Sequence, residues 1–144
     1  MSAGGLRRVL CVDDDPDVRA LMALVLREVG GFAVRACASG AEALAALAEE
    51  VPDLVLLDVM MPEMDGLETL RALRRHPSGA DLPVIFVTAR GDDPALARGD
   101  LPGVLGVVVK PFDPLELPRR IRRLHHDYRT GDGTGPGRTA PAVP

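Results

Sequence analysis

The sequence predicts an α/β fold in which helices cover both faces of a parallel sheet. Short apolar runs recur along the chain and segments with helical periodicity lie between them, so that strand and helix alternate five times. Such alternation favours right-handed crossovers within one sheet. The 144 residues suit a single domain, and an apolar share of 47% is enough for a core.

The first strand and helix are predicted by an apolar run followed by a capping signal. The strand is expected over residues 8–12, Asp15 is placed to cap the helix, and Pro16 occupies its first position. Gly30-Gly31 is expected to end the helix. Its predicted buried face comprises Val18, Leu21, Met22, Val25, Leu26 and Val29.

The second and third repeats carry similar signals. A strand over 32–37 is followed by Ser39, which with Glu42 predicts a capping box for the second helix. The third strand is expected over 53–57, and Asp65 caps the third helix. The predicted buried stripes are Leu44, Leu47 and Val51 on the second helix, and Leu67, Leu70 and Leu73 on the third, which ends within 76–79.

The last part of the chain is less regular. After a strand over 83–87, the Pro and Gly residues within 92–103 predict a short or distorted fourth helix. A strand over 106–109 and a helix over 114–128 follow, with Pro118 tolerated only in the first turn. We expect residues 1–6 to be a flexible N-terminus, 7–129 the folded domain, and 130–144 a disordered tail or truncated linker.

Charge and cysteine usage narrow the functional classes. A net charge of −4 gives no reason to expect general binding to nucleic acid or membranes. Cys11 and Cys37 lie in apolar runs without metal-binding spacing, which indicates buried, reduced thiols. A disulfide remains open if their strands are neighbours. The sequence has no recognisable signal peptide or membrane span, so the expected location is the cytoplasm.

Reactive side chains stand where four predicted strands end. Asp13 and Asp14 follow the first strand, Asp58 the third, Thr88 the fourth and Lys110 the fifth. The carboxyl ends of parallel strands meet at one sheet edge, where ligands bind in open α/β folds. A cluster of three carboxylates requires a cation, and Mg²⁺ suits oxygen ligands. A hydroxyl, an amine and a metal can together hold a phosphoryl group, with Asp58 as the nucleophile.

Four motifs at these strand ends resemble those of two-component response regulator receiver domains, and the chain is similar to stand-alone receivers of the chemotaxis type. The motifs are Val12–Pro16, Leu57–Gly66, Thr88–Arg90 and Lys110–Asp113, and the resemblance covers about 7–129. It implies a doubly wound, flavodoxin-like (βα)5 sandwich with a parallel sheet of order 2-1-3-4-5.

The resemblance also implies roles for the site residues. Asp58 would be the phosphorylated aspartate, Thr88 would bond a phosphoryl oxygen, and Lys110, before a cis peptide bond, would pair with the phosphoryl group. Met60 and Arg90 occupy positions that tune phosphate lifetime in the family. The implied ligands of Mg²⁺ or Mn²⁺ are Asp13, Asp14, Asp58 and the backbone carbonyl of Met60.

The implied function is a phosphoacceptor switch rather than a turnover enzyme. A histidine kinase or histidine phosphotransfer protein would phosphorylate it, and the domain would then bind an unknown output protein or form a homodimer. It would also phosphorylate itself from a small donor and dephosphorylate itself. The family usually has an aromatic residue three positions before the lysine, but Val107 stands there, which puts the usual threonine–aromatic coupling in question.

Several alternatives stay open. The chain could be a receiver-like interaction module that works without phosphate, or the receiver part of a longer regulator. A haloacid-dehalogenase-type phosphatase is disfavoured because Met60 replaces its second aspartate. The basic last helix is either a solvated face or a docking surface for an acidic partner, and DNA binding is not expected. Its basic residues are Arg119, Arg120, Arg122, Arg123, His125, His126 and Arg129.

Overall fold

The structure, a computed structural model, describes residues 5–97 and 101–130. The predicted flexible N-terminus and C-terminal tail therefore lie largely outside the described residues. In chain order the elements are β1 (Arg8–Val12), α1 (Pro16–Glu28), β2 (Ala33–Cys37), α2 (Gly40–Glu49), β3 (Leu54–Asp58), α3 (Gly66–Arg75), β4 (Val84–Thr88), a 3₁₀ turn (Pro94–Ala97), β5 (Val104–Val109) and α4 (Leu117–Thr130).

The five strands form one parallel sheet of order β2-β1-β3-β4-β5, which confirms the predicted fold class and strand order. The inner strands β3 and β4 are buried along their whole length. Residues of α2 and α3 belong to the core on one face of the sheet, and residues of α1 and α4 belong to the core on the other. Each face of the sheet is thus covered by two helices.

Asp58 and Thr88 are the last residues of their strands, whereas the sequence predicted that they follow the strands. The third strand runs over Leu54–Asp58 and the fourth over Val84–Thr88, one residue later than the predicted 53–57 and 83–87. Asp58 pairs with Val87 and Thr88 with Val109, so both side chains belong to the sheet itself. β5 begins at Val104, two residues before the prediction. The second strand begins at Ala33, one residue late.

Two predicted helix faces are partly wrong. On α1, Leu21 and Val29 are exposed to 39% and 54%, whereas Ala23 is buried. Val51 is 45% exposed and follows the end of α2, whose buried residues are Gly40, Ala43, Ala46 and Leu47. The predicted large residues Met22, Val25, Leu26 and Leu47 are buried, and on α2 the small residues Gly40, Ala43 and Ala46 complete the buried face.

Capping explains where the helices begin. Asp65 and Glu68 form the complete capping box of α3. At α2, Ser39 accepts a hydrogen bond from the Glu42 amide at 3.1 Å, as predicted. The Glu42 carboxylate instead accepts from the Ala38 amide at 2.8 Å, so the predicted box at α2 is only half formed.

Proline shapes the two irregular segments. The last helix begins at Leu117 rather than at residue 114, because Pro118 lacks the N–H that would bond the Pro114 carbonyl. That carbonyl accepts from the Leu117 amide at 3.3 Å instead, and Pro118 lies in the first turn as expected. Between β4 and β5, the described residues contain a 3₁₀ turn and no α-helix.

The two cysteines lie on opposite faces of the sheet. Val12, the neighbour of Cys11, pairs with Cys37 across β1 and β2, and successive side chains of a strand point to opposite faces. Cys11 lies in the core under α1 and α4, and Cys37 in the core under α2 and α3. Both thiols are free and buried, so the register rules out the disulfide that the sequence left open.

Within 5–97 and 101–130, no helix is long and apolar enough to cross a bilayer.

We predict that both thiols of the native protein resist alkylation at neutral pH. Burial raises the pKa of Cys11 to about 12 and also raises the pKa of Cys37, which removes the reactive thiolate. Intact mass after iodoacetamide treatment should show two adducts only when the protein is first unfolded. A species two hydrogens lighter after mild oxidation of the native protein would contradict the register.

Candidate functional site

Three carboxylates converge at the carboxyl edge of the sheet. Asp13 and Asp14 follow β1, and Asp58 is the last residue of the neighbouring strand β3. The three side chains place one oxygen each within 4.8 Å of one another. Asp13 is fully buried and Asp58 is 3% exposed, while Asp14 faces solvent. Two like charges are therefore held together out of water.

Lys110 meets this acidic cluster from the end of β5. Its Nζ atom lies 2.9 Å from Asp13 Oδ2 and 3.5 Å from Asp58 Oδ1. Within the described part of the chain, no other basic side chain lies within 4.0 Å of these two carboxylates. One cation faces three carboxylates, which leaves an excess of negative charge.

Backbone amides satisfy part of this excess. Asp13 Oδ1 accepts from the Asp15 amide at 2.9 Å, and Asp58 Oδ1 accepts from the Met60 amide at 3.2 Å. Asp13 Oδ2 is buried and has no well-angled hydrogen bond, although Lys110 Nζ lies close to it. An incompletely satisfied buried carboxylate oxygen is a natural ligand for a cation.

The electrostatics show the same imbalance. Burial, and next the charge of Asp13, raise the pKa of Asp58 to about 7, although Lys110 acts in the opposite direction. Burial also disfavours the charged form of Lys110, but its contacts with Asp13 and Asp58 outweigh this and raise its pKa. The lysine is therefore charged, whereas Asp58 needs a further positive charge to ionise fully near neutral pH.

Thr88 joins the site through the backbone. Its carbonyl accepts from the Lys110 amide at 2.8 Å, and its Oγ1 atom accepts from the Arg90 amide at 3.0 Å. Thr88 is fully buried, and the peptide bond between Lys110 and Pro111 is cis. Direct contacts thus bring Lys110 to the acids, while Thr88 lies at the end of the strand beside it. The phosphoryl-binding role of Thr88 stays a prediction.

Two contributing residues were missed at the sequence level. The Gly66 amide donates to the Val59 carbonyl at 2.8 Å, and a β-carbon at Gly66 would lie 2.5 Å from the Asp58 carbonyl oxygen. Arg19 donates from Nη1 to the Asp13 carbonyl at 2.8 Å. A glycine opening a helix is a readable sign of close approach, but the Arg19 bond leaves no pattern in the sequence.

Some basic side chains of the last helix, α4, contact other parts of the fold rather than only solvent. Arg120 donates to the carbonyl of Val107 at 3.0 Å. Arg122 lies 4.2 Å above the ring centre of Phe32, and it also bonds a backbone carbonyl of the turn after α1. His125 is buried, so it does not belong to the exposed basic face. Docking of an acidic partner there remains a prediction.

Comparison with known proteins identifies relatives of the whole domain. A family model for the response regulator receiver domain matches residues 9–122. The DNA-binding response regulator MtrA of Mycolicibacterium smegmatis is 40% identical over 116 residues, 81% of this chain and 49% of that protein. The transcriptional regulatory protein GltR of Pseudomonas aeruginosa is 41% identical over 124 residues, covering 86% and 50%. The chain spans about half the length of these relatives.

Two solved receiver structures match this chain over almost the whole of their own chains. The chemotaxis protein CheY4 of Vibrio cholerae matches with a TM-score of 0.76 and 31% identity, over 83% of this chain and 99% of that one. The receiver domain of the sensor histidine kinase PA1611 from Pseudomonas aeruginosa matches with a TM-score of 0.73 and 26% identity, over 85% and 99%. That receiver holds a magnesium ion in its active-site cleft.

We predict a pH-dependent stability that originates at Asp58. Its pKa is about 7 in the folded protein and near 3.8 without the fold, so the folded state binds the proton more tightly. In Mg²⁺-free buffer the free energy of unfolding should therefore fall as the pH rises from about 4 to about 7. Asp58→Asn should lose this component, so the unfolding free energy of the variant relative to the wild type should rise by on the order of 4 kcal/mol across that range. A difference in unfolding free energy between Asp58→Asn and the wild type that stays constant from about pH 4 to about pH 7, measured by urea unfolding, would contradict this.

We also predict that Gly66→Ala disturbs the site. The added methyl group would meet the backbone at Asp58 and Val59, so that β3 and α3 must separate. We expect a loss of about 2 kcal/mol in unfolding free energy. Gly31→Ala is the control, because Gly31 has φ +75° but no atom near its missing β-carbon. Gly31→Ala should lower the unfolding free energy by about 1 kcal/mol, from backbone strain alone. Equal losses of unfolding free energy in the two variants, measured by urea unfolding, would contradict the packing explanation.

Proposed function

The chain belongs to the response regulator receiver family of two-component systems, and from this we propose that Asp58 is its phosphoacceptor. In this proposal Mg²⁺ is required, and phosphorylation changes how the domain binds a partner. The observation that supports it best is a buried carboxylate at the end of β3, 3.5 Å from a lysine amine and within one cluster of three acids.

The donor set fits a divalent cation. Asp13, Asp14 and Asp58, with the backbone carbonyl of Met60, would hold Mg²⁺, and Mn²⁺ accepts the same oxygen ligands. When bound, the metal supplies positive charge beside the phosphoryl oxygens. The incompletely satisfied Asp13 Oδ2 atom and the raised pKa of Asp58 both favour such a cation.

The residues of the chain perform the transfer itself. A carboxylate oxygen of Asp58 forms a bond to phosphorus while the bond from phosphorus to the donor breaks and the donor leaves with that electron pair. Lys110 contacts Asp13 and Asp58 in the present state, so its amine needs only to turn toward the new phosphoryl oxygens. The Thr88 hydroxyl would donate to another of these oxygens.

Phosphorylation would act on the surface through added negative charge. The domain over residues 7–129 would be the switching unit, with a histidine kinase or histidine phosphotransfer protein as donor and an output protein or a second copy as the responding partner. MtrA is described as DNA-binding, but the chain spans about half its length, so an output of that kind would come from outside the receiver. A cytoplasmic location belongs to this proposal.

A phosphate-independent interaction module is the second candidate. It is favoured by Val107, a half-buried residue where the family usually has an aromatic, and by the 3₁₀ turn before β5. The phosphatase alternative gains no support, because Met60 offers no second carboxylate and its side chain is 57% exposed. Loss of the standard coupling does not remove the acids, Thr88 or Lys110.

We predict that acetyl phosphate and Mg²⁺ add one phosphoryl group to the protein, detected by intact mass. Asp58→Asn should abolish the adduct, and so should chelation of Mg²⁺. Asp65→Asn is the matched control, since Asp65 ends the loop that follows Asp58 but caps α3, a role that asparagine also fills. An unmodified wild type that also fails to bind beryllofluoride would support the phosphate-independent module.

A further inference from the structure

Arg19 fixes the main chain at the first acidic residue of the site. Its Nη1 atom donates to the Asp13 carbonyl at 2.8 Å, and the side chain is partly buried. The Asp13 amide donates to the Cys37 carbonyl at 3.1 Å. The peptide groups on both sides of Asp13 are therefore anchored, one by β2 and the other by a side chain of α1.

The position of this arginine is costly for the helix alone. α1 begins at Pro16, and near a helix N-terminus the macrodipole disfavours a cation. Within the described residues, Arg19 forms no ion pair with a carboxylate within 4.0 Å. Its observed hydrogen bond goes to a neutral carbonyl, which indicates a geometric role rather than charge neutralisation.

We propose that Arg19 is a positioning residue for the divalent cation at this site. By holding the Asp13 carbonyl, it would keep the Asp13 and Asp14 carboxylates directed toward Asp58, since this peptide joins the two residues. Lys110 fixes only the carboxylate end of Asp13. This inference rests on the proposed metal-dependent function, and it assigns a role to a residue outside the acid, threonine and lysine motifs.

Charge and geometry predict opposite results when the arginine is removed. If Arg19 acted only as a nearby positive charge, its removal would reduce repulsion and tighten Mg²⁺ binding. If it positions the carboxylates, its removal should weaken binding, as loss of groups that orient metal ligands commonly does by about 10-fold or more. The sign of the change therefore separates the two roles.

The structure offers a matched control on the same helix. Arg27 donates from Nη2 to the Val34 carbonyl at 2.9 Å, but it reaches β2 rather than the acidic edge. Arg19→Met and Arg27→Met each remove one cation and one bond to a backbone carbonyl. Stability measured by urea unfolding should fall in Arg27→Met as well, because Arg27 lies in the last turn of α1, where the helix dipole favours a cation. Mg²⁺ affinity should change only in Arg19→Met.

The experiment is an amide NMR titration of each protein with MgCl₂. We expect Arg19→Met to raise the dissociation constant about 10-fold, and Arg27→Met to match the wild type. At saturating Mg²⁺, phosphorylation of Arg19→Met by acetyl phosphate should approach the wild-type rate, which a damaged nucleophile would not allow. Arg19→Lys, with a shorter side chain but the same charge, should also bind Mg²⁺ more weakly.

The outcomes distinguish this inference from the proposed function. If the wild type binds Mg²⁺ and Arg19→Met binds equally or more tightly, the positioning role is overturned while the phosphoacceptor stands. Equal weakening in both methionine variants would also overturn it, because a general loss of stability would then be the cause. A wild type that binds no Mg²⁺ would overturn both.

Discussion

The repulsion among three carboxylates at one sheet edge is the constraint on which the site depends. The fold forces the contact, because Asp13 directly follows β1, Asp58 ends the neighbouring strand β3, and both side chains are buried. Lys110 offsets part of the negative charge, and the backbone amides of Asp15 and Met60 offset a further part. Burial, together with the charge of Asp13, still raises the pKa of Asp58 to about 7, and Asp13 Oδ2 stays incompletely hydrogen-bonded. The edge is thus prepared for a cation and, with that cation, for a phosphoryl group.

Much of this arrangement could be predicted from the sequence because its signals are local. Alternating strands and helices determine the parallel sheet, and the residue that ends each strand then falls on one edge. Asp65 was recognisable as a cap from its residue type at the start of the third helix. The buried helix faces were harder, since Leu21 and Val51 fit the apolar period yet stay exposed. The period of large apolar residues identified Met22, Val25, Leu26 and Leu47 correctly, but it did not show that α2 ends before Val51 or that Ala43 and Ala46 are buried.

The contacts that the sequence could not reveal are made to the backbone. Arg19 bonds the Asp13 carbonyl and Arg120 bonds the Val107 carbonyl, and a carbonyl acceptor has no residue type to recognise. Arg120 also meets β5 where the family usually has an aromatic residue, so Val107 is tied to α4 through its main chain. The described residues before β5 contribute a 3₁₀ turn rather than an α-helix. Val107 therefore departs from the residue type that the family resemblance implies, while Asp13, Asp14, Asp58, Thr88 and Lys110 match it.

The most direct test of the acidic edge as a cation site is an anomalous-scattering map from crystals grown with Mn²⁺. The constraint described above predicts one strong manganese peak bounded by the carboxylates of Asp13, Asp14 and Asp58, with the Met60 carbonyl as a further ligand. It also predicts that Lys110 remains beside the cluster rather than being expelled by the metal. Ordered carboxylates with no manganese among them, in crystals soaked at a high Mn²⁺ concentration, would contradict it.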